Sequence, residues 1–226
     1  MMTVASRFLR TAVGLKAIMA VTGIILFGFV LGHMLGNLKL YQGREVLNTY
    51  AEHLRTMGEP VLPHGALLWV VRCVLLLAVA LHAWSAWETT RRSWAARGGR
   101  YAVTATVEAD YAARTMRWGG VILGLFVAFH LADLTFGVGQ PAFDPKDVYA
   151  NVIASFSRAP VAALYVAANL ALGLHLFHGL WSWFQSLGWN NPKFNPWRRR
   201  FATTFAVLVT AVNVSFPLAV LLGWVK

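Results

Sequence analysis

The sequence predicts an all-α integral membrane bundle of five transmembrane helices, one membrane domain over residues 1–226 with a cytoplasmic N-terminus. Three observations carry this. Hydrophobic residues make up 58% of the chain and charged ones only 13%, with a mean hydropathy of +0.55, whereas a soluble domain carries about 25% charged residues. Five separate apolar stretches each reach the length of about 20 residues that crosses a bilayer core. Basic residues also gather in alternate connections between those stretches. Disorder is excluded by the same composition, and a disulfide scaffold by the solitary Cys73.

The stretches cover roughly residues 11–38, 63–87, 116–138, 160–187 and 201–225. None alternates with a period of two, so a β-barrel is not expected. The first is too long for a signal peptide and has no small-x-small cleavage site before the next polar loop. Between the first and second, residues 43–58 place Val46, Leu47, Tyr50 and Leu54 on one helical face, an expected interfacial helix. The run Asn190–Trp197 (NNPKFNPW) reads as a Pro-rich turn.

Orientation follows from charge. Arg7, Arg10 and Lys16 precede or open the first stretch. Arg91, Arg92, Arg97, Arg100, Arg114 and Arg117 lie between the second and third, and Lys193, Arg198, Arg199 and Arg200 between the fourth and fifth. That side holds 13 of the 20 basic residues against three acids, Glu88, Glu108 and Asp110. The other connections mix both signs. The positive-inside rule makes the basic side cytoplasmic. The net charge of +11 is therefore topology, and no nucleic-acid partner is expected.

Five histidines, His33, His82, His130, His175 and His178, fall inside apolar stretches. An ionisable group there is costly and marks function by default. Successive helices run in opposite directions. His33 and His130 consequently share the outer half of the bundle, and His82 and His175 the inner half. Two histidines at matched depth on facing helices supply both axial ligands of one b-type haem, and two such pairs imply two stacked haems within the first four helices. Zinc fits less well, because it collects its ligands at one compact point. A proton relay would need carboxylates among the histidines, and Asp133 alone qualifies. Gly28, Gly32 and Gly36 around His33, and Gly119, Gly120 and Gly124 before His130, leave room for a porphyrin face or for close helix packing.

Several runs add a family likeness. Gly32-His33-Met34-Leu35-Gly36-Asn37-Leu38, Tyr50-Ala51-Glu52-His53-Leu54-Arg55, Leu81-His82-Ala83-Trp84, Phe129-His130-Leu131 and the long run from His175 to Gly188 (HLFHGLWSWFQSLG) stand in order along the chain. With them the chain resembles the single-chain, five-helix, di-haem cytochrome b subunit of succinate dehydrogenase/fumarate reductase. The resemblance implies haem pairing between helices one and three and between helices two and four. It also implies a flavoprotein and an iron–sulfur subunit on the cytoplasmic face, and electron transfer to a quinone, menaquinone by type. The setting it implies is a multi-pass protein of the bacterial cytoplasmic membrane, with no dicarboxylate site in this chain. It selects His175 over His178 as the helix-four ligand, leaving His178 to a propionate or the proximal interface.

Further candidates are the other polar groups within or beside the stretches. Arg72 lies ten residues before His82, ~15 Å of rise outward, and is expected beside a distal propionate or quinone. Arg158 is a similar candidate, and Ser182 and Gln185 are candidates at the inner end. Asp133, one turn beyond His130, is either a proton-handling group at a quinone or a solvated helix end. Glu52, His53 and His64 read as surface groups. Some di-haem fumarate reductases carry a glutamate two residues before the helix-four ligand; Gly173 stands there in this chain. Two other classes compete: a di-haem anchor of another membrane oxidoreductase, and a haem-free proton-coupled transporter. The sequence shows no inverted repeat in favour of the transporter.

Overall fold

The computed structural model describes residues 11–96, 108–186, 188–189 and 191–226, with residues 108–114 as backbone only. Arg7, Arg10, Arg97, Arg100 and the side chains of Glu108, Asp110 and Arg114, all used above for orientation, lie outside the described residues, as do Leu187 and Asn190. The described elements are α1 (Ala12–Asn37), α2 (Arg44–Thr56), α3 (Ala66–Ala95), α4 (Glu108–Leu134), α5 (Val148–Phe156), α6 (Ala159–Ser186) and α7 (Asn195–Leu221), with a 3-10 turn at Leu38–Gln42. Five of them, α1, α3, α4, α6 and α7, are long and apolar enough to cross a membrane. Their outer faces carry exposed Leu76, Leu77, Val121, Leu125, Leu170, Leu174, Val207 and Leu208. In water such faces would be unstable, whereas in lipid they are the solvated ones.

Several ends differ from those expected, each for a local reason. Helix α3 runs eight residues beyond the expected Trp87, where Glu88 pairs with both Arg91 (2.8 Å) and Arg92 (2.7 Å) at i,i+3 and i,i+4 spacing. Helix α4 stops at Leu134 because the amides of Phe136 and Val138 turn back onto Leu131 and Ala132, with Gly137 at φ +68°. That is a glycine-terminated helix end. Helix α7 begins at Asn195, with a proline in its first turn. The final residues of the expected NNPKFNPW turn are therefore helical, as fits a proline at a helix start.

Helix α5 was not foreseen. Asp147 caps it by accepting from the Ala150 amide at 3.1 Å. The same carboxylate accepts from Asn48 (2.8 Å) and from Arg44 of α2. Burial alone would raise the Asp147 carboxyl, but these hydrogen bonds outweigh it and hold it below its ordinary value. The two short helices thus form one cap over an end of the bundle. Of the expected α2 face, Leu47 is buried and Tyr50 and Leu54 are half-buried, while Val46 is exposed. Gly36 is needed at this junction, since a Cβ there would lie 2.8 Å from the Tyr50 ring.

The long helices form two layers. Helix α1 packs along α3, and α4 along α6, while α7 lies against α6 and touches α1. One apolar cluster (Met34, Leu176, Ala206, Val209) joins α1, α6 and α7 in mid-bundle, and a second (Leu47, Phe156, Tyr165, Phe216, Val220) fastens the capped end. Among the described residues, α1 with α4, α3 with α6, and α3 with α4 make no more than glancing backbone approaches. The histidines bridge those separated helices.

Candidate functional site

Four histidines meet in two pairs across the layers. The His33 ring of α1 and the His130 ring of α4 lie 5.9 Å apart between centroids, and the His82 ring of α3 and the His175 ring of α6 lie 6.3 Å apart. Two imidazoles on opposite sides of one metal, each with a metal–nitrogen bond of ~2 Å, have ring centroids about 6 Å apart. Both pairs therefore fit bis-imidazole ligation. Among the described residues no group of three or more His, Cys, Asp or Glu side chains converges, so the histidines meet only two at a time. His178, one turn beyond His175, packs its ring 5.1 Å from its neighbour Phe177 and joins neither pair.

The surroundings also suit a flat group between layers. On α1, Met34 and Gly36 are buried while Gly32 and His33 stay accessible, so the histidine face is not packed into the core. A Cβ added at Gly28, Gly32, Gly119, Gly120, Gly124 or Gly179 would meet nothing within 4 Å. Gly23 faces His82 instead, its Cβ position 3.4 Å from Cε1 of that ring. The donor set, two imidazoles per site with small residues beside them, fits a b-type haem.

Each pair has one histidine held from behind. His130 Nδ1 is 3.2 Å from the Tyr165 hydroxyl, which is 3.1 Å from Asp133 Oδ2. His82 Nδ1 is 3.1 Å from Thr22 Oγ1, which itself donates to the Ile18 carbonyl at 2.7 Å. Among the described residues His175 Nδ1 has no hydrogen-bond partner. Tyr165 and Thr22 were not singled out in the sequence. Both contacts join residues that are distant in sequence on different helices, and nothing in the local pattern marks either.

Asp133 is not a solvated helix end. It is 2% exposed and accepts from Arg158 Nη2 (2.6 Å), Gln140 Nε2 (2.9 Å), Tyr165 and the Ser155 hydroxyl. An isolated carboxylate at that depth would be prohibitive, and one paired and fully hydrogen-bonded is tolerated. Arg158 thus faces Asp133, with its other arm on the Gly139 carbonyl at 3.2 Å. Arg72 is exposed on α3 with its guanidinium 4.9 Å over the Trp69 ring, and no described contact brings it to Asp133 or to either histidine pair. Ser182 and Gln185 are exposed near the end of α6. Arg91 and Arg92 are engaged by Glu88. His64 pairs with Glu59 at 3.0 Å, and His53 lies at the surface of α2.

A model of the succinate dehydrogenase/fumarate reductase transmembrane subunit family matches residues 109–214, from α4 through most of α7. Over these residues the chain is similar to that family. The matched region holds His130 and His175, one member of each imidazole pair. No match to the chain is found among curated proteins or solved structures. The five helices long and apolar enough to cross a membrane agree with that likeness to a transmembrane subunit. At Gly173 an added Cβ would collide with Thr210 Oγ1, so α7 occupies the space a longer side chain would need.

Proposed function

We propose that the chain is the membrane-anchor cytochrome b subunit of a succinate:quinone oxidoreductase, carrying electrons between an iron–sulfur subunit and a quinone. His33 with His130, and His82 with His175, would hold one haem b each. The observation that carries this is the pair of cross-layer imidazole spacings, 5.9 and 6.3 Å, beside the likeness of residues 109–214 to a succinate dehydrogenase/fumarate reductase transmembrane subunit. A flavoprotein and an iron–sulfur subunit on the cytoplasmic face, in a bacterial cytoplasmic membrane, belong to the same reading. Its support is the family likeness and the basic end of the bundle.

Each haem, when bound, supplies a one-electron redox centre. The chain's part is to fix the ligands and their protons. Tyr165 donates its hydroxyl proton to Asp133, so its oxygen accepts from His130 Nδ1–H and leaves Nε2 free for iron. Thr22, already donating to Ile18, accepts likewise from His82 Nδ1–H. Arg158, Ser155 and Gln140 hold the Asp133 side chain in place, and with it the Tyr165 hydroxyl. The Asp133–Arg158 pair, one turn beyond His130, is also the charge that a quinone at that end would meet.

Alanine replacement tests the pairing. His33→Ala or His130→Ala should remove one haem, and His82→Ala or His175→Ala the other, while His178→Ala keeps both in the reduced-minus-oxidised spectrum. Loss of a haem in His178→Ala, with retention in His175→Ala, would overturn the α6 assignment.

A further inference from the structure

At the end of the bundle remote from α2 and α5, the largest fully buried side chain is Arg198, 1% exposed in the first turn of α7. Its guanidinium lies 4.3 Å over the Trp181 ring, and Nη1 reaches the Trp189 carbonyl at 3.4 Å. Among the described residues Nε and Nη2 have no hydrogen-bond partner. Those two N–H groups share one edge of the guanidinium plane and point the same way, forming the fork that takes two oxygens of one phosphate or carboxylate. Glu88, the described carboxylate on this side, is already held by Arg91 and Arg92. A buried cation with its fork unmet is strongly unfavourable, and no described carboxylate of the chain meets it.

The space beside it identifies the source. Arg198 borders a cavity of about 380 Å³ whose other walls are Phe184, Trp189, Phe194 and Trp197. Phe184 follows His175 by nine residues, two and a half turns, so the cavity lies on the face of α6 opposite the imidazole pair. It is therefore not a haem edge. Trp189, Phe194 and Trp197 are each more than half exposed and give the entry route. Aromatic residues at a helix end against a basic cluster mark the headgroup level of a membrane, and basic pockets between helices there take acidic lipids. Arg199 and Arg200, both exposed, add positive charge next to the opening.

We propose that Arg198 is a binding site for the phosphate of an anionic phospholipid, with the lipid's apolar part lying on Phe194 and Trp197. The site is independent of the haem reading. The full chain in mild detergent, titrated with phosphatidylglycerol and read by native mass spectrometry, should retain one lipid about tenfold more tightly than Arg198→Lys, which keeps the charge without the fork. Trp197→Ala, which leaves Arg198 in place, should also weaken retention. The double variant Arg199→Gln/Arg200→Gln should keep most of it. Equal binding by wild type and Arg198→Lys, both helical by circular dichroism, would overturn the proposal. Displacement of the lipid by millimolar inorganic phosphate would overturn it in favour of a free anion. Lipid held by the isolated chain but absent from the purified complex would overturn it in favour of a partner's carboxylate.

Discussion

Of the four paired histidines, His130 has the most determined surroundings, because a buried carboxylate with four donors stands behind the tyrosine it touches. Removing the Tyr165 hydroxyl leaves His130 Nδ1–H without an acceptor and the ring free to turn. Loss of such an outer partner costs about 10- to 100-fold in metal affinity. Tyr165→Phe should therefore shed the haem of the His33/His130 pair that much more readily on dilution, with the His82/His175 haem unmoved. Equal loss from both pairs, or from neither, would show that Tyr165 only fills space. The four histidines were legible in the sequence because alternating helix direction converts position along a span into depth. Tyr165 was not, since its contact with His130 exists only once α4 and α6 pack. Asp133 was legible as unusual but not as buried: its partners Gln140 and Ser155 sit in what read as a plain connection, and Arg158 was expected beside a propionate rather than a carboxylate of the chain.

Among the elements, close approach of α6 and α7 depends on Gly173, whose missing Cβ makes room for Thr210. Gly173→Ala should destabilise the bundle by about 1–3 kcal/mol, as overpacked cores do. Adding Thr210→Ala should recover part of that loss in a thermal melt. If Gly173→Ala melts like the wild type, the two helices are not in contact there. The α2–α5 cap makes a second prediction through Asp147. Its carboxyl is held below the ordinary range, so its contribution is complete above the unfolded value of about 4 and disappears as pH falls through the lower folded value. Thermal stability should fall in that acidic window, and Asp147→Asn, which still caps the helix, should flatten the fall. An unchanged profile would assign the acid loss elsewhere. Helix α5 escaped the sequence reading because Val148–Phe156 is nine residues long, too short for an apolar pattern to separate helix from loop. The start of α7 was misread for a different reason: a proline that ends one element also begins another.

For the whole molecule, the two helix layers meet at the imidazole pairs, at the capped end and along α1–α6–α7. Span number and helical class were plain from hydropathy alone, because a bilayer imposes both length and backbone satisfaction on the sequence. The pairing of layers needed coordinates, since apolar residues face lipid and protein alike and carry no sidedness. Arg198 illustrates the same gap: as sequence it is one of three arginines setting orientation, and in the fold it is buried while Arg199 and Arg200 stay exposed. The central claim is that both imidazole pairs hold iron. Pyridine haemochrome measured against protein concentration, on the full chain purified from membranes, tests it most directly. Two b haems per chain are predicted; a ratio near one or zero from folded protein would contradict the account.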